Sequence, residues 1–201
     1  MITGEKAIFA IESGILHAYE SRHFKALGFF LIHVSGFCYG VNEPDATMMG
    51  CSHGEVIDRI SRRGTHTAPF AEEAGAGKIA DAFRAAIYVE DQEREQFFGI
   101  PQPAFKRIIY DNKLRWAPDG DEAFDDSSYV LQFDVGDRVR LIAFRRGPDK
   151  NDYYHDPATL RDLRLSADDF YGVLERWRKG FEAEWTAMPK LIDLNNLPEY
   201  D

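Results

Sequence analysis

Two cysteines and six histidines are the side chains of this 201-residue chain best suited to act as nucleophile, metal ligand or proton carrier. Cys51 and His53 form the only close Cys/His pair in the sequence, and neither a C-x-x-C nor an H-E-x-x-H spacing occurs, so the ligand cluster of a zinc site is missing. A cysteine nucleophile needs a base beside it in space. His17, His23, His33, His53, His66 and His155 supply one only if the fold delivers it to Cys38 or Cys51. The GAGK stretch at 75–78 lacks the spacing and the following Ser or Thr of a phosphate-binding loop. Tyr153, Tyr154, His155 and Asp156 make a polar and aromatic cluster that suits loop packing better than a site. Carboxylates abound, but most stand in hydrophilic stretches where nothing moves a pKa toward neutrality. The expectation is a chain with no catalytic centre, no metal and no cofactor.

One segment favours binding instead. Asp119, Asp121, Glu122, Asp125 and Asp126 place five negative charges in one loop without a basic residue between them, half of the net charge of −10. Trp116 and Phe124 stand beside them, which would give a docking surface two apolar anchors inside an acidic field that steers a basic partner. The plainer reading is a solvated segment whose like charges repel. Glu90, Asp91, Glu93 and Glu95 form the next acidic stretch to consider. The same acidity disfavours nucleic acid and anionic membranes as partners.

The length suits a single α+β domain over residues 1–201, and hydrophobic residues at 44% with aromatics at 13% are ample for a packed interior. No stretch approaches the roughly 18–20 apolar residues of a membrane span. The start, MITGEKAIFAIESG, does not read as a secretory signal, so the expected compartment is the cytoplasm, where both cysteines stay reduced.

Two hairpins and a terminal helix would position these residues. Leu27 to Val41 reads as strands around Ser35-Gly36, pairing Val34 with Phe37 and Ile32 with Tyr39, and its core face carries Phe30, Ile32, Val34, Phe37, Tyr39 and Val41. Tyr129 to Arg145 reads as a second hairpin about Gly136-Asp137; both of its faces are largely apolar, which predicts a central place in a mainly antiparallel sheet shared with the first. Ser166 caps a helix whose Phe170, Leu174, Trp177, Phe181, Trp185 and Met188 form one apolar stripe. Shorter helices are expected near 55–63 and 78–89, and Ile8 to Ile11 is a short apolar segment. Residues 90–112 are ambiguous, with Pro101 and Pro103 expected to break any helix, and 117–128 and the tail after Pro189 read as loops.

The IFAIE start, the FFLIHVSGFCYG hairpin, the turn into EVIDRISRR, the SYVLQFDVGDRVRLIAFRR hairpin and the terminal LSADDFYGVLERWRKGFEAEW together resemble the Imm42-type immunity proteins of bacterial polymorphic toxin systems. The resemblance implies a cytoplasmic protein that binds the catalytic domain of a cognate toxin and protects the producing cell. Nuclease toxins bind a polyanion and are commonly basic, so an acidic inhibitor can compete for the same surface. The residues by themselves leave two alternatives open: a small enzyme whose site is dispersed along the chain, and an acidic adaptor for a basic protein. Oligomeric state is not readable.

Overall fold

The computed structural model describes residues 1–21, 23–89, 94–116, 122–147 and 154–191. In chain order its elements are β1 (Ile2–Gly4), β2 (Phe9–Tyr19), β3 (Ala26–Val34), β4 (Phe37–Tyr39), β5 (Thr47–Met48), α1 (Met49–Ser61) and α2 (Ala76–Arg84), which ends in a π-helical turn at Ala85–Val89. There follow β6 (Gln96–Phe97), β7 (Ile100–Pro101), α3 (Gln102–Asp111), a 3-10 turn at Glu122–Phe124, β8 (Ser128–Val135), β9 (Arg138–Arg145), β10 (Arg161–Ser166), α4 (Ala167–Ala187) and β11 (Lys190–Leu191). The α+β class with antiparallel pairing is as the sequence pattern indicates.

The first hairpin has the expected register, Val34 opposite Phe37 and Ile32 opposite Tyr39. Ser35 and Gly36 both take positive φ, 49° and 78°, the pair of left-handed residues that a tight two-residue turn demands. The apolar segment at Ile8 to Ile11 proves to be the head of the eleven-residue β2, which pairs with β3 along its length. Among the described residues a six-stranded sheet runs β1-β2-β3-β4, with β5 added to β3 and β11 laid parallel on β2.

The second hairpin also pairs as expected, Leu131 facing Ile142 and Val130 facing Ala143, but it belongs to a separate three-stranded sheet, β10-β9-β8. A hairpin's own pattern fixes its register and its faces; it does not fix which other edge it joins. The two apolar faces of this small sheet are explained by two cores. Val130, Val139, Leu141 and Ala143 pack with the inner face of the large sheet, α1 and α4, whereas Leu131, Phe133, Ile142 and Phe144 pack with α2 and α3. The third strand, β10, is an edge whose Arg161, Asp162 and Arg164 hide the alternation of Leu163 and Leu165 behind charge.

Three boundaries depart from the sequence reading for identifiable reasons. Helix α1 begins at Met49, well before Glu55, and its Gly50, which reads in sequence as a turn former, is there for space: a Cβ would lie 1.7 Å from the His23 carbonyl oxygen. Helix α3 tolerates Pro103 because that residue falls in the first turn, where its missing N–H has no intrahelical acceptor. Beyond Pro189, Lys190 and Leu191 form a short strand and not a loop. Helix α4 follows the pattern closely. The Ser166 hydroxyl accepts from Asp169 N–H at 3.0 Å, and Phe170, Leu174, Trp177 and Phe181 are fully buried.

Candidate functional site

Residues 114–116 run as an extra edge beside β8, with Trp116 N–H donating to Val130 O and Gln132 N–H to Leu114 O, both at 2.8 Å. That alignment turns the Trp116 indole inward. It is 1% exposed, meets Phe170 edge-on at 5.9 Å and is covered by the Arg59 guanidinium at 4.5 Å. Phe124, on the 3-10 turn, is 7% exposed with its ring 6.5 Å from Phe30. Both are core side chains, so the expectation that they anchor a partner is corrected: large rings beside a charged loop lower their free energy by entering the nearest apolar interior.

Asp119 and Asp121 lie outside the described residues, as do Glu90, Asp91 and Glu93. Glu122 and Asp125 are exposed. Asp126 is a fastening: it pairs with Arg145 at 2.8 Å and accepts from the backbone N–H groups of Ser128 at 3.0 Å and Gly40 at 3.3 Å. Val41 N–H donates to Ala123 O at 2.8 Å. These bonds tie the 122–126 turn to the end of the first hairpin and bring the connection after it, with its exposed Glu43 and Asp45, into the same neighbourhood. The NEPDA segment reads in sequence as turn formers, so this second pair of carboxylates was visible as charge but not as a neighbour.

The cysteines and histidines are dispersed. Neither cysteine is in a disulfide. Cys51 is exposed on α1, while His53 faces inward, 5.1 Å from the Phe181 ring and 3.1 Å from Glu182, and burial lowers its pKa. His33 meets Glu12 at 2.8 Å and His155 meets Asp81 at 2.7 Å, joining β3 to β2 and residues 154–156 to α2. The bond from Lys6 and the neighbouring His33 hold Glu12 below the usual carboxylate range. Among the described residues no three His, Cys, Asp or Glu side chains converge to hold a metal ion.

The densest polar cluster lies between α1, β8 and α4. Arg59 pairs with Glu55 at 2.8 Å and donates to Gln132 Oε1 at 2.9 Å and to the Arg115 carbonyl. Gln132 Nε2 donates to the Tyr171 hydroxyl at 2.8 Å, and Tyr171 donates to Asp134 at 2.9 Å. Asp134 also accepts from Gly64 N–H at 2.7 Å and His66 N–H at 3.3 Å. Burial dominates the electrostatics. It lowers Arg59 and raises Glu55 despite their pairing, raises Tyr171 with help from Asp134, and lowers His66 with help from Arg59. These side chains face one another and the backbone, so the cluster joins two helices to a sheet; general acid or base work needs a group within reach of a substrate proton.

The family model described as Immunity protein 42 matches residues 1–180. Among solved structures, the crystal structure of CdiI from Burkholderia dolosa AUO158 superposes with a TM-score of 0.55 at 15% identity, over 90% of this chain and 99% of that chain, a likeness of fold. No curated protein matches the chain in sequence.

Proposed function

Since the chain belongs to the Immunity protein 42 family, its role is toxin neutralisation, and we propose that it acts in the cytoplasm by binding one cognate toxin domain and occluding the surface that domain uses. The observation that carries this reading is the family match across residues 1–180. Occlusion asks for an exposed, complementary surface and for no chemistry from the inhibitor, which accords with a polar cluster turned inward and a surface field of carboxylates. The partner face is proposed to be basic, as on a domain that handles a polyanion. The exposed Glu122 and Asp125, joined by Glu43 and Asp45, lie on the acidic side that would meet it, within a chain of net charge −10.

The test is co-expression with the C-terminal domain of the secreted protein encoded beside this chain's gene. Restored growth together with a stoichiometric complex is expected. Absence of both would sink the reading, and protection by substoichiometric amounts of this chain, with a covalently altered toxin, would replace occlusion by catalysis.

A further inference from the structure

With Trp116 and Phe124 buried, the exposed aromatic side chains among the described residues are Phe24, Tyr88, Phe98, Tyr110 and Tyr154, and two of them, Phe98 and Tyr154, line one cleft at the tip of the β6–β7 hairpin. Phe97 pairs with Ile100, leaving Phe98 and Gly99 as the two turn residues, both left-handed at φ 54° and 74°. Asn-Gly is the relaxed sequence for such a turn; a bulky L side chain at its first position is strained. Phe98 stacks on Phe70 at 4.8 Å, stays 38% exposed, and walls off two clefts. One, of about 400 Å³, is lined by Lys78, Arg94 and Tyr154, a residue that is 60% exposed. The other, of about 350 Å³, is lined by Pro69, Glu73 and Ile100.

Charge says what fits the larger cleft. Its Asp81 is engaged by His155, through the ring at 2.7 Å and the backbone N–H at 3.0 Å. Lys78 and Arg94 are exposed there, and among the described residues neither is in an ion pair, so the cleft mouth is cationic on a molecule whose net charge is −10. Exposed aromatic rings beside Arg are the composition of interface hot spots.

We infer that the β6–β7 tip is the apolar anchor of the toxin interface: the partner seats an apolar side chain against Phe98 and Tyr154 and a carboxylate against Lys78 and Arg94. This rests on the toxin-binding reading above. A basic domain still carries carboxylates, and here one is positioned by two cations while the acidic loops act at longer range.

The experiment measures binding of the neighbouring gene's toxin domain to the full chain and to three variants. Phe98→Asn relieves the turn and removes the ring; its melting temperature should match or exceed that of the wild type, while affinity falls about tenfold or more, mainly through faster dissociation. Tyr154→Ala should weaken binding too, with its melting temperature measured alongside. Lys78→Glu with Arg94→Glu should also weaken binding, and this charge-reversed variant decides the matter if either aromatic substitution loses stability. Wild-type affinity in Tyr154→Ala and the charge-reversed variant would overturn the anchor and leave the toxin reading intact, whereas no complex with the wild-type chain would remove both.

Discussion

A guanidinium that is 0% exposed must be matched group by group, and Arg59 is nearly so, by Glu55, Gln132, the Arg115 carbonyl and the face of Trp116; only its Nε is left without a partner. Removing one member of such a set leaves the others desolvated and unpaired, so Arg59→Ala should destabilise the fold by about 3–5 kcal/mol in urea denaturation. Replacing Glu55 and Arg59 together by Gln and Met should cost distinctly less, because no lone charge remains. The same burial makes acid sensitivity a property of His53 and His66. Each ring has its folded pKa lowered from 6.5, so the unfolded chain binds more protons in the window just below that value. Stability from these rings is complete above about pH 6.5 and falls as the pH drops through the folded pKa values. A denaturation midpoint that is flat between pH 7 and pH 5 would contradict this, and His66→Gln should shallow the decline. None of this cluster was legible beforehand, since Arg59, Gln132 and Tyr171 come from elements far apart in the chain. The error at Trp116 and Phe124 is of the same kind: an aromatic beside a charged loop reads alike whether it faces in or out.

Elements with a long, regular pattern were legible, and those made by tertiary contact were not. Both hairpin registers follow from alternation and turn chemistry, and α4 follows from a cap and an unbroken stripe. By contrast β10 is an edge strand with a charged alternate face, β6, β7 and β11 have two residues each, and the first turn of α1 holds Gly50, a position where a Cβ would meet the His23 carbonyl. Helix α4 carries the packing that unites the large core. Trp177 is stacked on Phe181 at 5.3 Å, set edge-on to Phe30 at 5.1 Å, and donates from Nε1 to the Ser13 hydroxyl at 2.9 Å. Trp177→Ala should therefore cost about 3–5 kcal/mol, a cavity plus an orphaned hydroxyl on β2. A melting temperature unchanged by that substitution would mean that α4 is held by something other than its stripe.

At the scale of the whole molecule, charge and contact do different jobs, and they can be separated kinetically. A field of exposed carboxylates raises the rate of encounter with a basic partner and is screened by salt, whereas a buried anchor slows dissociation. Net charge and the acidic loop were legible in sequence, but only the fold shows which carboxylates are available. Asp126 must be left alone, because neutralising it would break its 2.8 Å pair with Arg145 and loosen the turn itself. Glu122 and Asp125 are exposed, as are Glu43 and Asp45 on the adjoining connection. The four-fold variant Glu43→Gln, Asp45→Asn, Glu122→Gln, Asp125→Asn should keep the wild-type melting temperature. Its association with the toxin domain should be slower at low ionic strength and less dependent on salt, with the dissociation rate nearly unchanged. If these carboxylates form only a solvated surface, association will proceed at the wild-type rate at every salt concentration and cells will remain fully protected. A faster dissociation instead would mean that they lie inside the contact and are desolvated there, since loss of a long-range field leaves the bound complex intact.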